Sequence, residues 1–362
     1  MRFEELLKDK IFELPLNQTT NNNFKTFIIN KLNLFLEKVN NLDPGPIHVE
    51  KNYISSNFVK EVQRKVVENL ILCFEDYYNG NPFKAYEKLH TVFRNDFKDL
   101  YAIINQKEYE VDESFFRIRL SDKNYLYKKS EMFHIPFELR NKVSTQRFSI
   151  PGFPSLYLGR TVYICWEELN RPSIDKIQAI KFKSIKRIKL LDLTPPSKDC
   201  TDIDELYRFF MTFPIIMCCS VKVKDPSDTF KPEYIIPQLL LQWIRNNDRL
   251  DGIQYKSTHI TSRVFNDNTE LINIVLPVKT SEDNGICNRL TSYFESTEVV
   301  SWNLYEFAMG GQIFLYGDMD AQIVNKKIPN LEIIDGKKYP YFYSTLGRLE
   351  YYLEISQTTP IL

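Results

Sequence analysis

The segment spanning residues 131–169, EMFHIPFELRNKVSTQRFSIPGFPSLYLGRTVYICWEEL, restricts the fold more than any other stretch of the chain. Pro151, Gly152 and Pro154 punctuate the loop at 149–154, and such residues define a turn shape instead of a flexible linker. The apolar run at 155–158 then predicts a short strand. After Gly159-Arg160-Thr161 a helix opens, with Thr161 at the N-cap, where its hydroxyl can accept from a first-turn N–H. Helical spacing puts Val162, Cys165, Trp166 and Leu169 on one buried face. Glu167 and Glu168 are thereby expected to point away from that face, beside the loop.

Charge balance narrows the function. The chain has 47 basic and 47 acidic residues, a net charge of zero. A general nucleic-acid binder normally carries a basic excess, so none is expected here, while a local basic cleft for a small anion is compatible with the balance. Cysteines stand at 73, 165, 200, 218, 219 and 287, none in a C-x-x-C pair. That pattern indicates neither a zinc site nor a disulfide framework, so no metal is expected and a reducing cytoplasm is the simplest setting. The opening MRFEELLKDKIFELPL scatters charges among its apolar residues and lacks a signal-peptide core. No apolar run approaches the roughly 20 residues that span a bilayer, so no membrane partner is expected.

Three regions follow from the patterning: a helical accessory region at 1–108, a core at 109–265 and an α+β extension at 266–362. In the first, Phe24, Phe27, Ile28, Leu32, Phe35, Leu36 and Val39 recur at helical spacing until NLDPGP breaks the helix. A second helix starts after Ser55-Ser56 and ends at Asn79-Gly80-Asn81-Pro82; a third carries Phe83 through Leu100, and the two form an αα-hairpin. His90 lacks a second ligand at metal spacing and reads as an ordinary, partly buried histidine. Residues 113–120, ESFFRIRL, alternate as a strand, with Phe116 and Ile118 on one face and Arg117 and Arg119 on the other. Two guanidiniums on one face can grip a diphosphate; a solvated strand face explains them as well. His134 suits either nucleotide positioning or a structural role.

Residues 179–193 read as one or two strands with a basic outer face. A helix is expected at 204–216, bent or ended by Pro214, and another at 237–244 with Pro237 near its first turn. Asp251-Gly252-Ile253-Gln254-Tyr255 turns into a strand that places Tyr255 and Ser257 on one face. A strong strand is predicted at 271–278, a short helix at 286–294 and a hairpin at 300–317. The Tyr-rich tail at 339–355 is expected to pack back on the body. Phosphate-loop motifs are absent from the sequence.

The central stretch resembles the RES domain, a family named for its Arg, Glu and Ser. Its usual core reads roughly GGRW-N-x-x-G-x-x-x-x-Y, followed by a helix ending in Glu. Thr145-Gln146-Arg147-Phe148-Ser149, Gly152 and Tyr157 fall at the same spacing, with Thr-Gln, Phe148 and Ser149 replacing Gly-Gly, Trp and Asn. Phe116-Arg117-Ile118-Arg119 upstream and Asp251 to Ser257 downstream complete a resemblance over residues 113–262. It implies an α+β chain with an ADP-ribosyltransferase-like mixed β core, and NAD as substrate. Its site would comprise Arg117, Tyr157, Glu168 and Ser257, with Glu167 as the alternative carboxylate and Ser220 as a substitute hydroxyl. Arg117 and Arg147 would bind phosphates, with Arg119, His134, Gly152 and Tyr255 lining the nucleotide.

The function so implied is cleavage of the nicotinamide–ribose bond by hydrolysis or phosphorolysis, in a toxin or defence effector restrained by an antitoxin or other regulatory protein. A protein ADP-ribosyltransferase, with a protein acceptor, would use the same site. A non-catalytic nucleotide-binding module on the same scaffold is the third reading, since fold alone does not guarantee chemistry.

Overall fold

The helical periodicities of the amino-terminal third become helices Phe24–Asn40, Ser56–Tyr78 and Pro82–Val92 in the computed structural model. It describes residues 2–18, 23–49, 52–93, 104–121, 125–197, 200–258, 271–309, 318–334 and 336–362. The third helix closes at Val92; the expected continuation to Phe97 and Leu100 lies outside the described residues. The chain is α+β and divides into two compact units. One comprises residues 1–106, 145–150 and 191–246; the other comprises 107–144, 151–190 and 247–362.

The first unit is helical and adds helices Ile203–Cys219 and Ile235–Arg245. Its centre is aromatic: Phe12 lies 4.4 Å from Phe213, and Phe35 packs on Phe210 and Phe213 at 5.7 and 5.4 Å. Helix Ile203–Cys219 continues past Pro214 and does not end there, one of the two outcomes the sequence predicts. The reason is tertiary. Proline has no N–H to donate to the carbonyl four residues back. Gln63 supplies the missing donor, its side-chain amide reaching the Phe210 carbonyl at 3.1 Å. An orphaned buried carbonyl is thus satisfied and the helix continues.

A ten-stranded sheet organises the second unit. Its strands are β1 Gln106–Tyr109, β2 Ser114–Leu120, β3 Ser155–Gly159, β4 Ile177–Ser184, β5 Ile188–Asp192, β6 Gly252–Lys256, β7 Ile272–Pro277, β8 Phe294–Ser296, β9 Val300–Ser301 and β10 Thr359–Pro360. The order across the sheet is β10-β8-β4-β2-β3-β7-β6-β5-β1, with β9 also on β4. Each face carries an apolar layer. Phe115, Phe133, Leu156, Leu158, Ile180 and Phe182 belong to one; Phe116, Ile118, Val162, Ile164, Tyr341 and Leu349 belong to the other. Residues 266–362 supply β7 to β10 and helix Thr345–Ile355 to this unit.

Three local expectations are corrected. The basic face expected over β4 and β5 is interrupted at Lys181, which is buried and whose Nζ donates to the Glu354 carbonyl at 2.6 Å, while Lys183 and Lys189 stay half-exposed. β4 lies inside the sheet, so covering layers on both faces override the alternation. The hairpin expected at 300–317 is instead β9 followed by helix Trp302–Met309, where the Trp302 and Tyr305 rings pack 5.4 Å apart at helical spacing. Its expected turn at Gly310 and Gly311 lies outside the described residues. The helix expected at 286–294 is one turn, Asn288–Thr291, because Phe294 already enters β8.

Candidate active site

β3 and the helix after it build the site's frame. Thr161 caps helix Val162–Glu168, its hydroxyl accepting from Ile164 N–H at 3.1 Å. Gly159, the last residue of β3, lets the helix sit directly on the strand. A Cβ there would meet Ile164 Cγ2 at 2.5 Å and Cys165 Sγ at 2.6 Å. The buried face of the helix is Val162, Tyr163, Ile164 and Glu167, with Cys165, Trp166 and Leu169 only partly covered. The expectation that both glutamates point away from the buried side is therefore corrected for Glu167. The helix is wrapped by more than one layer, and a single stripe cannot describe it.

The adjacent carboxylates have separate partners. Glu167 accepts from the Tyr163 hydroxyl and pairs with Arg171 at 3.0 Å. Glu168 is half-buried, and its Oε1 accepts from Ser257 Oγ at 2.6 Å and Asn273 Nδ2 at 2.7 Å. The sheet register explains this meeting. Gly159 pairs with Asn273 and Asn273 with Tyr255, while Tyr157 pairs with Val275, so these residues share one face. Ser257 follows β6 with the same parity, as expected.

Arg117 stands where the sheet parts. β2 is registered with β4 along its length but with β3 only at Phe116↔Gly159. Arg117 is the next residue of β2. Its Nη1 is buried and makes no hydrogen bond among the described residues. Burial, and then the charge of Arg119, lower its pKa to about 10, so the guanidinium remains a cation at neutral pH. Tyr157 and Cys165 lie within its electrostatic reach, and Cys165 also senses Glu168. Burial raises the Tyr157 phenol, against the opposing pull of Arg117, which keeps it neutral. The Cys165 thiol is pushed up to about 12 by burial and donates to the Phe116 carbonyl at 3.2 Å, an inert arrangement.

The other anticipated residues have other surroundings. Arg119 donates to the Glu131 carbonyl and stacks 4.8 Å over Tyr127. His134 is buried in the core. Its Nδ1 is 2.8 Å from the Ile135 carbonyl, and its Nε2 accepts from Cys287 N–H at 2.8 Å. Burial lowers its pKa to about 4, so it is neutral and both ring nitrogens serve the fold. Gly152 has φ +68, a conformation that favours glycine, in the loop before β3. Tyr255 is half-buried. Arg147 belongs to the helical unit, where it donates to the Cys219 carbonyl at 3.0 Å and lies 5.3 Å from the Tyr234 ring. Ser220 is the C-cap of helix Ile203–Cys219 in that unit. Sequence reading missed Asn273. The available signal was one amide side chain inside the apolar run LINIVLPV.

Among the described residues, no group of three His, Cys, Asp or Glu side chains could hold a metal ion, and no helix is long and apolar enough to cross a membrane. The RES domain model matches residues 115–280. Across 94% of this chain and 78% of the relative, the sequence is 30% identical to "Putative toxin YopC" of Bacillus subtilis strain 168. No solved structure matches the chain.

Proposed function

The chain belongs to the RES-domain family, and we propose that it consumes NAD by cleaving the nicotinamide–ribose bond. The observation that carries this reading is the Glu168 carboxylate, held by Ser257 and Asn273 on the face that also bears Tyr157. The reaction asks little of an acid. The nicotinamide nitrogen is already cationic, so the ring leaves as a neutral molecule, taking the bonding electron pair. Positive charge develops on the ribose as an oxocarbenium ion. A fixed carboxylate stabilises that charge as it forms, and the Ser257 and Asn273 donors orient the carboxylate in advance.

Arg117 supplies the anion-binding part. Its Nη1, without a hydrogen-bond partner among the described residues, is a buried donor suited to a phosphate oxygen. Tyr157 and Tyr255 offer aromatic surface at the nicotinamide-ribose end. When water is the acceptor, it adds to the ribose carbon and loses a proton, giving ADP-ribose. In a cell this activity would act as a toxin by draining NAD, in keeping with the toxin in the relative's name, and an antitoxin protein would restrain it.

The test is release of nicotinamide from NAD by the purified full chain, beside folded Glu168→Gln and Arg117→Ala variants. Release by the wild type, lost in both variants, supports the reading; following the ADP-ribose then identifies water, phosphate or protein as the acceptor. A folded wild type that releases none with water, phosphate or cell extract present overturns it.

A further inference from the structure

We propose that Glu350, outside the matched RES span, is a positioning residue that anchors the helix carrying Glu168. Its place in catalysis rests on the function proposed above. Glu350 lies on helix Thr345–Ile355 and is fully buried. Its Oε2 accepts from Val162 N–H at 2.7 Å and from the Tyr341 hydroxyl at 2.8 Å. Val162 opens the helix that ends at Glu168. The first N–H groups of a helix have no acceptor within it. Here Thr161 takes Ile164 N–H from the adjoining residue, and Glu350 takes Val162 N–H from 188 residues away.

The chemistry of Glu350 fits an anchor better than a packing role. Burial in an apolar layer penalises a carboxyl group, and burial pushes this one up to about 7. Its Oε1 has no hydrogen-bond partner among the described residues. Lys327 forms its 2.9 Å ion pair with the neighbouring Glu354, which leaves Glu350 to the helix amide and Tyr341. An aliphatic side chain would fill the space without that cost but could not accept from Val162. The helix therefore has two tethers. Glu350 holds its start, and Ser257 with Asn273 holds the carboxylate at its end.

The experiment compares full-length wild type with Glu350→Leu and Glu350→Gln. It reads thermal melting, amide hydrogen exchange over residues 162–168, and kcat and KM for nicotinamide release. Glu350→Leu is expected to stay folded, to exchange Val162 faster, and to lose about 10-fold to 100-fold in kcat with KM little changed, since small misplacements cost rates of this order. Glu350→Gln keeps an oxygen acceptor and should recover most of the loss. A folded Glu350→Leu with wild-type kcat and exchange overturns the proposal, as does a Gln variant as impaired as Leu. If the wild type itself releases no nicotinamide, the proposed function fails. The exchange of Val162 then still decides the anchor: faster in Glu350→Leu supports it and unchanged overturns it.

Discussion

The helical unit and the sheet unit bury different chemistry. Around Phe12, Phe35, Phe210 and Phe213 the helical unit is an aromatic interior, and Gln63 within it serves a carbonyl that Pro214 leaves without a donor. The sheet unit takes Arg160, Glu167, Lys181 and Glu350 almost wholly out of water, along with Nη1 of Arg117. Arg160 pairs with Glu113 at 2.9 Å and lies 4.7 Å from the Tyr109 ring. Apolar burial stabilises through area and tolerates small shifts. A buried charge is tolerated only where its partners are placed, so the same contact that satisfies it also fixes geometry. The sheet unit thus adds to its two apolar layers a set of buried charges whose partners also fix geometry.

The largest expected effect lies in the apolar interior. Phe210→Ala should cost about 3–5 kcal/mol in denaturant unfolding, with kcat of the remaining folded protein unchanged. A comparable loss of kcat in folded protein would break the division between the units. Next is the pair of carboxylates. Glu168→Gln should lower nicotinamide release about 10²–10³-fold, the loss typical of one transition-state contact, with melting nearly constant. Glu167→Gln should do the opposite, losing about 1–3 kcal/mol of stability through its buried contacts to Tyr163 while activity persists. If Glu167→Gln silences the enzyme and Glu168→Gln does not, the assignment of the two is reversed.

The pH dependence of stability sharpens the contrast. Burial raises Glu350 from 4.5 to about 7 in the folded state. A raised pKa means that the folded chain holds this proton more tightly than the unfolded chain. Its stabilising contribution is therefore complete below about 4.5 and is lost as pH rises towards about 7. Lys327 opposes the shift, Glu354 adds to it, and Tyr341 and Cys165 face the same carboxyl. Unfolding measured across that window should show Glu350→Gln gaining on the wild type as pH rises; parallel curves would remove Glu350 as the source. The smallest effect is the cap. Thr161→Ala should cost about 1 kcal/mol, read by melting, as for N-caps generally.

Local signals in the sequence carried a definite part of this architecture. The loop around Gly152, strand β3, the Thr161 cap and the alternation of Arg117 with Phe116 and Ile118 are all readable, because turns, caps and pleats depend on residues a few positions apart. Ser257 and Glu168 were legible as candidates, but their meeting was not. Helical spacing could not separate Glu167 from Glu168, and it misjudged which side of the helix is covered. The resemblance favoured Glu168, but its contact with Asn273, 105 residues further on, follows from the pairing of Asn273 on β7 with Gly159 and Tyr255. The neutral, doubly bonded His134, the buried Lys181 and the continuous helix through Pro214 have the same origin. Periodicity reports which way a side chain leaves its own backbone. What it meets depends on strands and helices brought there from distant parts of the chain, and the hydrogen bond from Val162 to Glu350 spans 188 residues that no local pattern can bridge.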